Sequence, residues 1–358
     1  MSRMNGSVLL LGSVTGDSAS EVFHLCGQEL KGCLSTLPDG ETGYRCYWIN
    51  FLAATLYDGH PDLQTINRPK SSPDGRPNWA PSGYHDHWRF KIKDGVDNLR
   101  FEQLGYANDA IQSYREFREL RDQGIIDAGV RLQVAMPMTE SAVRPFLLHA
   151  ADYPKMCAAY EEAMYREVQK MLRNIPAEDL AIQWDVCMEV FAAECNDEAE
   201  GLFLFKPDKP PMVRYAKALY ALSKCVPNDV LMGLHICYGD LGHQHFMQPK
   251  DLALSVEIAN VGNEQVGRLI DFYHMTVPRD RNDDAYFSPL EDLNLAEGKL
   301  YLGLVHNTDG VDGSLRRLET AKRHATGFGV SAECGLARRP HEAMPEILRV
   351  HKQVATEL

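Results

Sequence analysis

The chain has no apolar run approaching the roughly 20 residues that a membrane-spanning helix requires. Its opening Met1-Ser2-Arg3-Met4-Asn5-Gly6 leads only into Val8-Leu9-Leu10-Leu11. That run is too short for a secretory signal core, so neither a targeting segment nor a membrane partner is expected. An excess of positive charge is also missing: 37 Lys and Arg stand against 50 Asp and Glu, a net charge of −13. Such a surface repels polyanions, which argues against nucleic acid and anionic lipid as partners. There is no repeat of solenoid period and no low-complexity tract. Nor do the cysteines pair by spacing. Nine of them, an odd number, suit a reducing cytoplasm rather than a disulfide framework. Most read as inert buried thiols.

What is present is 358 residues, 44% hydrophobic and 24% charged, an ordinary globular composition with enough material for a full core. Short apolar runs alternate with longer amphipathic stretches. The runs at 8–13, 32–37, 131–137, 180–186, 230–237, 269–277, 299–306 and 328–334 read as parallel strands buried on both faces. Helical spacing is clear over 107–122 and over 153–174, the latter opening on Asp152 as N-cap with Pro154 behind it. Alternating β and α units imply a parallel sheet, and eight imply closure. The expected fold class is α/β, a (β/α)8 TIM barrel forming a single domain over residues 1–358. One stretch breaks the rhythm after the second strand. Residues 58–99 carry Pro61, Pro69, Pro73, Pro77 and Pro81 with Trp79, Tyr84, His85, His87 and Trp88. Regular helix is excluded there, leaving a surface insertion or a lid over the barrel mouth.

The strongest chemical signal is Leu234-His235-Ile236-Cys237-Tyr238-Gly239. Residues i and i+2 of a strand share a side, so His235 and Cys237 project together at the C-terminal end, where barrel enzymes keep their chemistry. A second thiol stands at the matching place of the last strand, in Ser331-Ala332-Glu333-Cys334-Gly335-Leu336. One imidazole and two thiolates leave a tetrahedral Zn2+ one open position, as a catalytic site requires. A His-x-Cys alone is equally a core histidine beside a buried cysteine; the third donor favours the metal.

These segments resemble the C-terminal catalytic domain of cobalamin-independent methionine synthase, in the barrel superfamily shared with uroporphyrinogen decarboxylase. His235-Ile236-Cys237-Tyr238 is similar to that family's His-x-Cys-Tyr zinc segment, and Glu333-Cys334-Gly335-Leu336 to its Asp-Cys-Gly-Leu, with Arg338 and Arg339 downstream. Gly12-Ser13, Gly40-Glu41 with Arg45, Glu167-Val168, and Ile182-Gln183-Trp184-Asp185 fall in the same order, over most of residues 7–345, while 58–99 has no recognised counterpart. The resemblance implies zinc on His235, Cys237 and Cys334, a homocysteine-like thiol bound to it, and Ser13, Glu41 and Asp185 holding the amino-acid end of that substrate.

The chain departs from the family pattern in three places. The family's glutamate ligand on the strand after His-x-Cys is absent from Asp271-Phe272-Tyr273-His274-Met275-Thr276-Val277-Pro278. Either His274 or Asp271 substitutes, or three protein ligands suffice, as in related coenzyme M alkyltransferases. The family's Asp-x-His-Ser is replaced by His306-Asn307-Thr308-Asp309-Gly310, leaving His306 or Asp309 as the catalytic proton carrier. The duplicated N-terminal half that helps accommodate folate in plant and bacterial methionine synthases has no counterpart in these residues, so the methyl donor is open.

Weaker signals are Gly310-Val311-Asp312-Gly313 as a phosphate turn or plain loop, Arg338-Arg339-Pro340 as a carboxylate clamp or a solvated helix start, and His243 with His245 as an exposed pair. Cys187 and Cys195 read as core. The expected function is a cytoplasmic, zinc-dependent methyl or alkyl transferase acting on a small thiol and an alkyl donor, with homo-oligomerisation open. The alternatives are a zinc-dependent lyase or hydrolase for a small, aromatic molecule, and a metal-free, decarboxylase-like protein with incidental cysteines.

Overall fold

The computed structural model describes residues 3–70, 86–198, 201–239, 245, 247–337 and 339–358. Pro73, Pro77, Trp79, Pro81, Tyr84, His85, His243 and Arg338 lie outside the described residues.

Seven runs form one curled parallel sheet in the order β1 (Thr36–Pro38), β4 (Arg131–Pro137), β5 (Leu180–Val186), β6 (Leu231–Ile236), β7 (Phe272–Thr276), β8 (Lys299–Val305) and β9 (Gly329–Ala332). All residues of β5, β6, β7 and β9 are buried. That explains why these runs are apolar on both faces rather than alternating: helices cover one side and the curled interior fills the other. The expected eighth run, 8–13, makes no ladder. Val8 instead bridges in parallel to Leu34 and to Val330, Ser13 to Gly40, and Val14 to Leu336. The segment therefore touches the last strand at Val330 and, on the other side, the residues that flank β1, through isolated bridges.

A chain of buried amides ties this segment to the sheet and leads to the site. The Thr36 hydroxyl donates to Gln133 Oε1 (2.6 Å), and Gln133 Nε2 donates to the Leu10 carbonyl (2.7 Å) and to Gln183 Oε1 (3.0 Å). Gln183 Nε2 donates in turn to Asp185 Oδ1 (2.8 Å). Buried polar groups must be paired, and this ladder pairs them up to the C-terminal rim.

The helices packed outside include α1 (Ala19–Glu29), α2 (Tyr106–Asp122), α3 (Tyr153–Leu172), α4 (Pro211–Ser223), α5 (Ala253–Gln265), α6 (Gly310–Ala321) and α7 (Met344–Ala355). Each turns an apolar stripe inward; on α7 the stripe is Met344, Ile347, Leu348, Val350 and Val354. Full burial of a side chain such as Leu348 contributes about 1.5–3 kcal/mol. Among the described residues no helix is long and apolar enough to cross a membrane.

One sequence expectation needs correction, and another gains detail. In the described ends of the 58–99 stretch, β2 (Leu63–Asn67) and β3 (Arg89–Ile92) form an antiparallel pair. It is anchored by a bridge from Phe90 to Leu147 and by Trp88 stacked on Phe90. Asp152 does precede α3, but its side chain caps nothing; its Oδ2 accepts from the Ile92 backbone N–H at 3.1 Å. A tertiary bond to the hairpin has taken the carboxylate that local sequence assigned to the helix.

Candidate metal centre

Parallel register sets Asp185, His235 and His274 side by side on β5, β6 and β7. Cys237 follows one residue beyond β6, and Cys334 two residues beyond β9. The topology thereby gathers three soft donors at one rim. His235 Nε2 lies 3.8 Å from Cys334 Sγ, Cys334 Sγ lies 3.3 Å from Cys237 Sγ, and all three donor atoms fall within 4.8 Å of one another. His235 and Cys237 are buried, and Cys334 is half-buried.

Hydrogen bonds fix which nitrogen of His235 is bare. The Ala332 carbonyl can only accept, so His274 Nε2, 3.0 Å away, carries the proton. Burial, reinforced by His235, holds His274 well below the usual imidazole range, so the ring is neutral and its Nδ1 is an acceptor. His235 Nδ1, 2.8 Å from His274 Nδ1, must then be the donor. Burial also lowers His235 to about 3. Its Nε2 is left as a lone pair aimed at the two sulfurs, the form in which histidine ligates metals.

The donor set fits zinc. The Gly239 backbone N–H points at Cys237 Sγ (3.2 Å). A hydrogen bond with Cys187, together with burial, holds the Cys237 thiol well above the ordinary range. A thiol held up as Cys237 is stays protonated at neutral pH, and a divalent ion deprotonates ligating thiols outright.

Neither expected fourth ligand is placed to help. Both ring nitrogens of His274 are engaged behind His235. Asp271 lies next to the start of β7, away from the C-terminal rim. It pairs with Arg3 through both oxygens (2.7 Å each), and its Oδ2 also accepts from the Met232 N–H (2.9 Å).

A cavity of about 120 Å³ opens in front of the three donors, lined also by Ser13, Glu41, Asp185 and Gly335. Asp185 accepts from Trp48 Nε1 (3.1 Å) as well as from Gln183, yet burial still pushes its carboxyl up to about 7. Glu41 holds a left-handed backbone, φ 49°, unusual for a non-glycine residue and of the kind that clusters at functional sites. Gly335 is a close-approach glycine: a Cβ there would sit 2.2 Å from Ser13 Oγ.

The two expected proton carriers stand elsewhere, and neither lines this cavity. His306 Nε2 donates to the Val277 carbonyl (2.8 Å), while Nδ1 faces Glu333 Oε2 at 3.4 Å in a small hollow behind Cys334. Asp309 is clamped by Arg317 through both oxygens (2.7 and 2.9 Å), which outweighs burial and keeps it below the usual carboxylate range. Its carboxylate lies against Gly313, where a Cβ would meet it at 1.9 Å. The N-terminus of α6 thus carries its own anion, which removes the phosphate-turn reading. His245 is half-buried rather than exposed, 3.5 Å from Glu333, and Arg339 approaches the same carboxylate at 3.8 Å.

Sequence reasoning missed several residues that shape the cavity: Tyr47, Trp48, Phe146, Met188 and Leu202 line it, and so does Cys187, which had read as core. Cys187 and Met188 directly follow β5, and the rule that strand C-termini carry barrel chemistry could have marked them. Nothing local marks Leu202.

No family model and no curated protein matches the chain. Among solved structures, a B12-independent methionine synthase from Shewanella sp. W3-18-1, in complex with selenomethionine, is similar in fold. Its TM-score is 0.59 at 14% identity, covering 98% of this chain and 95% of that one. A putative vitamin-B12 independent methionine synthase from Listeria monocytogenes gives a TM-score of 0.55 at 16% identity, covering 95% and 86%. At such identities the likeness establishes the fold.

Proposed function

We propose that the chain is a zinc-dependent methyl or alkyl transferase in which the sulfur of a small, homocysteine-like thiol bonds to the donor's electrophilic carbon as that carbon's bond to its leaving group breaks, giving a thioether, the released leaving group and the thiol's proton. The observation carrying this reading is the bare Nε2 of His235 converging with two thiols on one cavity. The fold shared with a methionine synthase holding selenomethionine supports it. We also read the sheet, with residues 8–14 between its two ends, as an eight-membered barrel forming one domain.

His235, Cys237 and Cys334 would hold the zinc, leaving the fourth place to the substrate sulfur. A zinc ion there would supply the charge that makes an alkyl thiol a thiolate at neutral pH while leaving it nucleophilic. Glu41 and Asp185 hold the ammonium of the thiol substrate, with the Ser13 hydroxyl beside them. Asp185, buried at the cavity wall with a carboxyl near neutrality, takes over the proton-carrying role from Asp309, whose oxygens Arg317 occupies. His306 remains behind Cys334, orienting Glu333. The nine free thiols suit a reducing cytoplasm, and the cavity's size suits a small thiol and a small alkyl donor.

Zinc-edge X-ray absorption of the zinc-loaded protein, with and without homocysteine, tests the reading. One additional Zn–S distance on adding homocysteine is expected. An unchanged sulfur count would contradict thiol activation and favour the lyase or hydrolase alternative, which the Tyr47, Trp48 and Phe146 wall would suit.

A further inference from the structure

The cavity has a second polar wall that the thiol chemistry leaves unused. His87, just ahead of β3, lines it beside Pro145, Phe146 and Leu202. The residue is 6% exposed, and its Nε2 is buried with no hydrogen-bond partner. Buried polar atoms are nearly always paired, so an orphan on a residue that lines the cavity marks a side chain whose missing partner a ligand can supply. Burial, aided by the charge of Arg89, lowers this imidazole to about 4, so it is neutral at physiological pH.

Arg89 is the second observation. It is buried two residues further along the chain, and among the described residues its guanidinium donates only to carbonyl oxygens, those of Pro145, Leu202 (3.3 Å) and Gly201 (2.7 Å). Two of those carbonyls belong to residues that line the cavity. A buried cation without a carboxylate raises the potential behind this wall and favours anionic or oxygen-bearing ligands. The carboxyl groups of Glu41 and Asp185 line the same cavity. Both His87 and Arg89 belong to the stretch that has no counterpart in the resembling family.

We propose that His87 and Arg89 form the recognition wall for the second substrate, a small molecule with a ring-sized apolar body against Tyr47, Trp48 and Phe146 and a carboxylate accepting from the N–H of the neutral His87 imidazole. This deepens the transferase reading by naming the class of its co-substrate, and rests on it only in taking this cavity as the substrate site.

Calorimetric titration of the full chain with benzoate, and with toluene as the same ring without oxygens, tests it in the wild type, His87→Leu and His87→Gln. In His87→Leu, benzoate should weaken about tenfold or more, as loss of a hydrogen bond to a charged group predicts. Toluene should stay within about twofold. His87→Gln, which keeps an N–H of similar reach, should recover part of the loss. The thermal midpoint of His87→Leu should be unchanged or higher, because a buried orphan atom has been removed. Absence of benzoate binding, equal benzoate affinity in all three proteins, or parallel loss of both ligands would overturn the proposal. Zinc content measured on the same samples separates the two ideas. The benzoate pattern without zinc defeats the transferase reading alone, and stoichiometric zinc without the pattern defeats this inference alone.

Discussion

Two buried polar clusters of this protein differ in one respect that matters. Around Arg144 the charges are matched within the chain. Arg144 Nη1 reaches Glu140 (2.8 Å) and Asp197 (2.5 Å), Arg214 Nη2 reaches the same two carboxylates (2.8 and 2.7 Å), and the Tyr153 hydroxyl donates to Glu140. The Arg144 guanidinium also lies 3.7 Å over the Phe203 ring. Around His235 the donors are an imidazole and two thiols, close together. In the first cluster the guanidinium groups and carboxylates offset one another, although Arg144 Nε has no hydrogen-bond partner among the described residues, and its work is structural. The second brings the lone pair of His235 Nε2 together with two sulfurs, and the Cys237 thiol is held well above its ordinary range. Density of polar groups therefore does not mark function; the chemistry of the donors does.

Breaking the Arg144 cluster should have the largest effect on stability. Asp197→Ala leaves Arg144, fully buried, short of a carboxylate and should cost about 3–5 kcal/mol in denaturant unfolding. Zinc binding should not change; an equal loss of metal would erase the distinction drawn between the two clusters.

Asp185 sharpens the comparison through pH. Its folded pKa is raised by burial to about 7, against about 4 in an unfolded chain. The folded protein therefore binds more protons than the unfolded one between those values. This group's contribution is most favourable below about pH 4 and declines as pH rises to about 7, on the order of a few kcal/mol. Urea unfolding across this range should show a steeper decline in the wild type than in Asp185→Asn, where only other buried carboxyls such as Glu189, also raised to about 7 by burial, still contribute. Parallel curves would refute the assigned shift.

His274→Phe removes the acceptor that fixes the His235 tautomer while keeping a ring in place. Zinc affinity measured against a chelator should fall about 10–100-fold, with stoichiometry intact at saturating metal. Unaltered affinity would mean that the imidazole pair does not orient the ligand. The smallest effect belongs to Asp309→Asn, about 1 kcal/mol of stability through its contact with Arg317, and no change in turnover. A proton carrier would instead lose about 10²–10⁴ in rate, so such a fall would restore the role first expected of Asp309.

Much of the sheet was legible because its strands are buried on both faces. Continuous apolar runs such as 131–137 and 180–186 coincide with β4 and β5 to the residue. Strand 8–13 was readable as a run, but not as isolated bridges, since pairing depends on the path of both neighbours. The donors His235, Cys237 and Cys334 were legible from two-residue periodicity and strand ends. His274 was visible as a residue and misread in role: which nitrogen a histidine uses depends on the Ala332 carbonyl, 58 positions away. Asp309 was misread for a similar reason, because its partner Arg317 lies about two helical turns further on. His87 was noted among the aromatics of its stretch, but only tertiary burial reveals that its Nε2 lacks a partner.

The most direct test is the metal content of the purified full chain, compared with Cys237→Ser and Cys334→Ser. One zinc per chain in the wild type, falling to a small fraction in each variant that remains folded by circular dichroism, is the predicted result. A wild type without stoichiometric zinc after incubation with the ion, or variants that retain it fully, would contradict the account.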